Sequence, residues 1–294
     1  MASEKIGFVG AGLMGHGMVK NLLLAGYAVT VIAHRNRAPV EDLVAQGATE
    51  ATSLSELAAA SDILHICAPG SPQVEAIVAE CAPAMAAGSV IIDCSTSDPT
   101  STEKLAGMLA DQGIALVDAP LGGTPVQAEE GKLSSMIGAS DDVFDRIKPV
   151  VSSWAASFTH LGPTGTGHKA KLLMNFLSLG YGALYAEALA IGSRVGLSAQ
   201  QFDSFIRGSR MDCGFYQTFM DYALEGNREA HKFTLTNAAK DTRYLANMAT
   251  AAGAANPIGA AVRNSYAMAV NTGGDGPEDY VPHLVDYVGK LNGV

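Results

Sequence analysis

Lys5-Ile6-Gly7-Phe8-Val9-Gly10-Ala11-Gly12-Leu13-Met14-Gly15 decides the fold of this chain. A short apolar run leads into Gly10-x-Gly12-x-x-Gly15 and then into a helix-like segment. Strand, glycine turn and helix in that order predict the first βαβ unit of a dinucleotide-binding sheet. Gly10 permits the tight turn, Gly12 removes the β-carbon that would block a pyrophosphate, and Gly15 lets helix and strand pack closely. Ala11, Leu13 and Met14 fill the loop between them. The N–H groups at the helix start face a negative ligand.

Working outward, residues 28–33, 63–67, 90–94, 114–118 and 135–137 read as further β-rich runs. Helical stretches at 14–25, 40–46, 54–60, 72–79 and 101–112 lie between the strands. Strands separated by helices predict parallel pairing and a doubly wound α/β sheet. Ser53-x-x-Glu56 has the form of a capping box, and a helix starting at Asp141 carries Val143, Phe144, Ile147 and Val151 on one face. After Gly162-Pro163-Thr164-Gly165 the strand signal stops. One long apolar helix over 169–195 is followed by helices near 199–207, 215–224, 237–251, 255–270 and 281–290. The expected division is a dinucleotide-binding domain over 1–163 and an all-helical substrate and oligomerisation domain over 164–294.

Composition bounds the function. Hydrophobic residues make up 48% of the 294 and charged residues 16%, enough for two cores. A net charge of −10 argues against a nucleic-acid partner, because a phosphate backbone needs a basic stripe. No basic stretch followed by an apolar one opens the sequence, so no secretory leader is expected. The apolar run 172–186 is short for a membrane span and reads as a buried helix. Cys67, Cys81, Cys94 and Cys213 are widely spaced, which fits reduced thiols and a cytoplasmic protein. The seven histidines form no metal-ligand motif, so no metal is expected.

Several loops carry candidate chemistry. An acidic residue usually marks NAD at the tip of the second strand, but here the tip reads Ala33-His34-Arg35-Asn36-Arg37. Two guanidinium groups suit a 2′-phosphate, so NADP(H) is expected with NAD as the alternative; the arginines opening a solvated helix is the other reading. Cys67-Ala68-Pro69-Gly70 and Asp93-Cys94-Ser95-Thr96-Ser97-Asp98-Pro99 follow strands, where ligands of open α/β sheets lie. Ser95 and Thr96 are donors for a ribose or carboxamide, while Ser97 and Asp98 serve equally as helix caps. Asp118-Ala119-Pro120-Leu121-Gly122-Gly123-Thr124 offers backbone N–H groups to a carboxylate. Lys171 and Asn175 share one helix face, either in a polar pocket where the two halves meet or with the lysine reaching solvent. Lys169 reads as solvated. Lys240-Asp241 reads, from spacing alone, as a surface ion pair.

Together these segments resemble the β-hydroxyacid dehydrogenase family over essentially the whole chain. The resemblance rests on Gly-Phe-Val-Gly-Ala-Gly-Leu-Met-Gly, on Asp118-Ala119-Pro120 with Gly123, on Gly165-x-Gly167-x-x-x-Lys171-x-x-x-Asn175, and on Lys240-Asp241. It implies hydride transfer between a nicotinamide cofactor and a small β-hydroxy acid or semialdehyde acid. Lys171 would be the catalytic acid/base and Asn175, Asp118, Gly122, Gly123 and Thr124 would lie at the substrate. Thr96 and Lys240 would lie at the cofactor. One departure stands out: the family's Asp-Ala-Pro-Val-Ser-Gly-Gly reads Leu121-Gly122-Gly123-Thr124 here, so Gly122 replaces the serine. A homodimer or homotetramer is expected. A non-catalytic NADP-binding sensor and an imine-reductase-like enzyme are the rival readings.

Overall fold

The computed structural model describes residues 4–294. The chain divides into two compact units at Lys171/Leu172. That point falls inside a helix, eight residues beyond the expected boundary.

The first unit is built on six parallel strands: β1 (Lys5–Val9), β2 (Ala28–Val31), β3 (Thr49–Glu50), β4 (Ile63–Ile66), β5 (Val90–Asp93) and β6 (Ala115–Asp118). They lie in the order β3-β2-β1-β4-β5-β6. Crossovers are made by helices α1 (Gly15–Leu24), α2 (Ala38–Ala45), α3 (Leu54–Ala59), α4 (Ser71–Cys81) and α5 (Pro99–Ala110). Side-chain alternation divides the core. Ile6, Phe8, Ile63, Val90, Ile92 and Val117 enter one apolar layer, and Val9, Leu64, Ile66, Ile91 and Leu116 enter the other. Both faces are covered, which is why these strands read as unbroken apolar runs rather than as alternating ones. Each such side chain fully withdrawn from water contributes roughly 1.5–3 kcal/mol.

Four short elements were not legible beforehand. β3 has two residues, and β7 (Leu121–Gly122) hides in a glycine loop. β9 (Ala155–His160) alternates mostly exposed positions, and α6 (Pro125–Glu129) is a single turn and a half. The run at 135–137 does not continue the parallel sheet. It belongs to β8 (Leu133–Ile137), which forms a separate sheet in the order β7-β8-β9, antiparallel to β7 and parallel to β9. Asp118 and Gly138 bridge the two sheets. The helix α7 (Asp141–Val151) lies between β8 and β9 in sequence and buries Ile147, Val150 and Val151.

The helix α8 (Thr166–Arg194) runs from the first unit into the second. The remaining helices are α9 (Ala199–Ile206), α10 (Gly214–Glu225), α11 (Leu235–Ala251), α12 (Pro257–Asn271) and α13 (Leu284–Leu291). In the second unit α8 buries Leu179, Ala183, Ala186, Leu189 and Ala190 against Tyr216, Phe219, Leu235 and Tyr266. The Tyr266 hydroxyl donates to the Leu179 carbonyl at 2.9 Å. Within the single chain only part of the helix is buried: Leu173, Leu177, Leu184 and Ile191 on its other side, and Val195 just past its end, are exposed. A helix apolar all round can satisfy only one face within a single layer of neighbours.

Candidate active site

The glycine loop folds as its spacing demands. Gly10 sits at φ +101°, and a β-carbon there would overlap the Cys67 carbonyl oxygen. One at Gly15 would overlap the Gly10 carbonyl oxygen, so α1 and β1 approach as closely as backbones can. Gly12 is different: nothing lies within 4 Å of the position its β-carbon would take. The space beside its backbone is open to a ligand, and the start of α1 supplies unpaired helical N–H groups there.

At the end of β2, Arg35 is exposed, and so are His34 and Asn36. Arg37 is already engaged, with Nε 3.4 Å from Glu41 and Nη2 3.0 Å from Glu50. Asn36 uses its Oδ1 to accept the Ala38 N–H at 3.2 Å, starting α2.

The loops after β4 and β5 are tied together. Ser95 accepts the Ala68 N–H on its Oγ at 2.9 Å and is almost fully buried. Asp93 accepts the Ser95 N–H at 2.9 Å and the Ser97 hydroxyl at 2.7 Å. Asp98 caps α5 through the Thr100 N–H. The Ser95 hydroxyl thus holds the neighbouring loop, and Ser95 is the more buried of the two expected donors. Thr96 is the one residue of the 89–99 segment that reaches the surface, flanked by this fixed frame. Ala68 is half-buried and Pro69 exposed beside it. Cys67 and Cys94 are free thiols, and burial pushes Cys67 up to about 12, which leaves it inert as a nucleophile.

Asp118 is engaged within the protein. It is wholly buried, and its carboxylate accepts the Gly165 N–H on Oδ1 and the His168 N–H on Oδ2, both at 2.6 Å. It is the cap of α8, satisfying N–H groups that a helix start leaves without partners. Burial raises its pKa, an effect that these N–H bonds oppose without cancelling. Thr124 likewise holds a helix start, while remaining exposed. Its Oγ1 accepts the Gln127 N–H and its own N–H donates to the Gln127 side chain, a capping box that starts α6. Gly122 is a ladder residue opposite Ser134. A β-carbon on it would stand 2.5 Å from the Ser134 Oγ, so a hydroxyl from β8 occupies the space that a serine at 122 would use. Sequence reasoning missed Ser134, whose register with Gly122 appears only once β7 and β8 pair. Gly123, at φ +126°, remains exposed in the loop.

Lys171 and Asn175 lie one turn apart on α8, and Lys171 is half-buried. Lys169 carries its charge to Glu103 on α5 at 2.5 Å. In the second unit, Asn175 donates from Nδ2 to Asp241 Oδ2 at 2.6 Å. Asp241 is only 2% exposed, so Lys240-Asp241 is no surface pair. Lys240 Nζ lies 3.3 Å from Asp241 Oδ1, within ion-pair range but not aligned as a hydrogen bond, and 5.5 Å over the Tyr244 ring. The buried carboxylate thus fixes which way the Asn175 amide faces, because an ionised carboxylate only accepts.

Residues 5–162 match the family model of the NAD-binding domain of 6-phosphogluconate dehydrogenase. Residues 165–282 match that of the NAD-binding region of NADP-dependent 3-hydroxyisobutyrate dehydrogenase. The chain belongs to the β-hydroxyacid dehydrogenase family. It is 41% identical to 2-(hydroxymethyl)glutarate dehydrogenase of Eubacterium barkeri over 231 residues, covering 77% of this chain and 73% of that one. It is 32% identical to 3-hydroxyisobutyrate dehydrogenase of Pseudomonas aeruginosa over 272 residues, covering 90% and 91%. A solved structure of Mycobacterium tuberculosis 3-hydroxyisobutyrate dehydrogenase with L-serine superposes with a TM-score of 0.85 at 25% identity, covering 96% and 99%. As a member of this family the protein is a nicotinamide-dependent oxidoreductase. The open side of Gly12, the start of α1 and the frame around Thr96 fit such a cofactor, which when bound supplies the hydride chemistry.

Proposed function

We propose that this dehydrogenase interconverts a small semialdehyde acid and its β-hydroxy acid, with NADP(H) preferred over NAD(H) and Lys171 as acid/base. The observation that carries this reading is the placement of Lys171 on the first turns of α8, whose start is held by Asp118, with Asn175 one turn on. In reduction the Lys171 ammonium gives its proton to the carbonyl oxygen; in oxidation the amine takes it from the hydroxyl. Its positive charge also favours alkoxide character at that oxygen. Asn175, with one N–H held by Asp241, keeps its carbonyl and second N–H for the substrate. The 41%-identical relative is named for a hydroxymethyl group on the carbon bearing a carboxylate, which supports a β-hydroxy acid here. The NADP preference rests on Arg35 and on the absence of a carboxylate among residues 33–37.

Purified protein mixed with NADPH or NADH and a panel of semialdehyde acids is expected to consume NADPH faster. The panel contains tartronate and methylmalonate semialdehydes, which give β-hydroxy acids, with glyoxylate and succinic semialdehyde as the α- and γ-hydroxy-acid comparisons. Lys171→Ala is expected to lower turnover by about a hundredfold or more while still binding NADPH. Turnover within a few-fold of the unaltered enzyme would end the role given to Lys171.

The exposed row Leu173, Leu177, Leu184, Ile191 and Val195 is the surface through which we place the association of copies into a homodimer or homotetramer.

A further inference from the structure

His168 is completely buried in the first turn of α8, and hydride transfer does not itself call for an imidazole there. Its ring reaches two segments remote in sequence. Nε2 lies 3.1 Å from the Ser95 carbonyl oxygen, in the loop after β5, and Nδ1 lies 2.8 Å from Thr102 Oγ1 on α5. A carbonyl only accepts, so Nε2 carries the proton; Thr102 Oγ1 also lies 3.2 Å from the Asp98 carbonyl oxygen, and its single proton is shared between that oxygen and Nδ1. Both ring nitrogens thus face a hydrogen-bonding partner. The carboxylates of Asp93 and Asp118 stand 3.8 and 3.9 Å from the ring. Both are occupied elsewhere, Asp93 by Ser95 and Ser97 and Asp118 by the start of α8. The adjoining turn has no slack, because a side chain on Gly167 would overlap the Met136 carbonyl oxygen.

One ring therefore joins the loop that presents Thr96 to the turn that leads into Lys171. Ser95 is the neighbour of Thr96, and Lys171 follows His168 by three residues, on the same side of the helix. We propose that His168 is a positioning residue, whose imidazole locks the Lys171 turn of α8 to the Thr96 loop. This rests on the reading of Lys171 as the acid/base, but the lock can be measured without turnover.

The test uses the full-length protein. His168→Phe keeps a planar ring and removes both nitrogens; His168→Gln returns a donor for the Ser95 carbonyl. Hydrogen exchange is followed in segments 95–97 and 165–171, alongside kcat, KM and NADPH binding. In His168→Phe, exchange in both segments is expected to rise about tenfold or more, since opening is measured there directly. Its kcat is expected to fall about ten- to a hundredfold, the effect of a displacement near 1 Å at reacting atoms. NADPH binding should weaken as well but by less than kcat falls, because the Thr96 loop is one part of the cofactor's frame and the glycine loop is untouched. His168→Gln should recover most of the lost kcat. Unchanged exchange in His168→Phe overturns the proposal whatever the activity. So does faster exchange with an unaltered kcat, or a loss of kcat that glutamine does not recover. If His168→Phe does not fold, Thr102→Val, which removes the Nδ1 partner together with the Thr102 bond to the Asp98 carbonyl, is held to the same exchange and kcat outcomes. Lys171→Ala that keeps its turnover defeats the reading of Lys171, while the exchange result still decides the lock.

Discussion

Arg35 and Arg37 bring the same charge to the end of β2 but meet different surroundings. Arg37 is shared between Glu41 and Glu50, whereas Arg35 stands exposed. Surface pairs of this kind are weak, yet they lower the charge that Arg37 offers a phosphate. Arg35→Ala should therefore raise the KM for NADPH by about tenfold or more, the worth of one charge-assisted contact, and leave NADH nearly unchanged. Arg37→Ala should have the smaller effect. Equal losses for both cofactors in Arg35→Ala would show that these guanidinium groups do not select the 2′-phosphate. At this scale the sequence identified residue types and spacing but not partners. Asp118 and Thr124 read as substrate contacts because both follow a strand end, and neither helix that they cap was visible as their partner.

Among elements, α1, α2 and α6 are held by one side chain. His16 Nδ1 lies 2.6 Å from Glu129 and Nε2 2.8 Å from Asp42, with Lys20 3.2 Å from the other Glu129 oxygen. Only a doubly protonated ring can donate to both carboxylates. Burial opposes that charge, but the bonds to Glu129 and Asp42 outweigh it and raise the His16 pKa above its ordinary value. The sign follows. The folded state holds the proton more tightly than the unfolded chain, so the stabilisation is complete below the ordinary imidazole pKa and fades as pH rises through the raised one. Thermal unfolding of wild type against His16→Gln should show a wild-type advantage at pH 5 that narrows towards pH 9. A gap that widens with pH would refute the clasp. α1 and α2 were legible from periodicity; α6 was not, being too short to show any, and so His16 had no visible partner.

The first unit as a whole carries an acid-sensitive core. His65 lies within β4, stacked on Phe8 at 5.5 Å and edge-on to Trp154 at 6.2 Å, with neither ring nitrogen hydrogen-bonded. Burial pushes its pKa down to about 3. Its contribution is intact above the ordinary imidazole pKa and is lost as pH falls from there towards 3, because the unfolded chain takes up a proton that the folded one refuses. That single group adds a slope of up to about 1.4 kcal/mol per pH unit. His65→Phe should flatten the acid limb of the stability profile by this amount, with the chain's one tryptophan, Trp154, as reporter. An identical acid limb in both proteins would exclude His65 as its source. Leu177→Asp together with Leu184→Asp should yield monomers by sedimentation at micromolar concentration, and an unaltered assembly would place the interface elsewhere.

The doubly wound sheet and the helical second half could be read directly from the chain, because burial on two faces and helical periodicity are local patterns of apolar residues. The glycine loop was equally plain, since backbone sterics leave few residues able to stand at 10, 12 and 15. Partnership was a matter for the tertiary structure. That Asp118 caps α8, that Asp241 turns Asn175, and that His168 joins Ser95 to Thr102 depend on contacts 47 to 73 residues apart in sequence. A polar side chain takes its role from the atom it faces, and only packing of the apolar layers brings such distant atoms within hydrogen-bonding distance of one another.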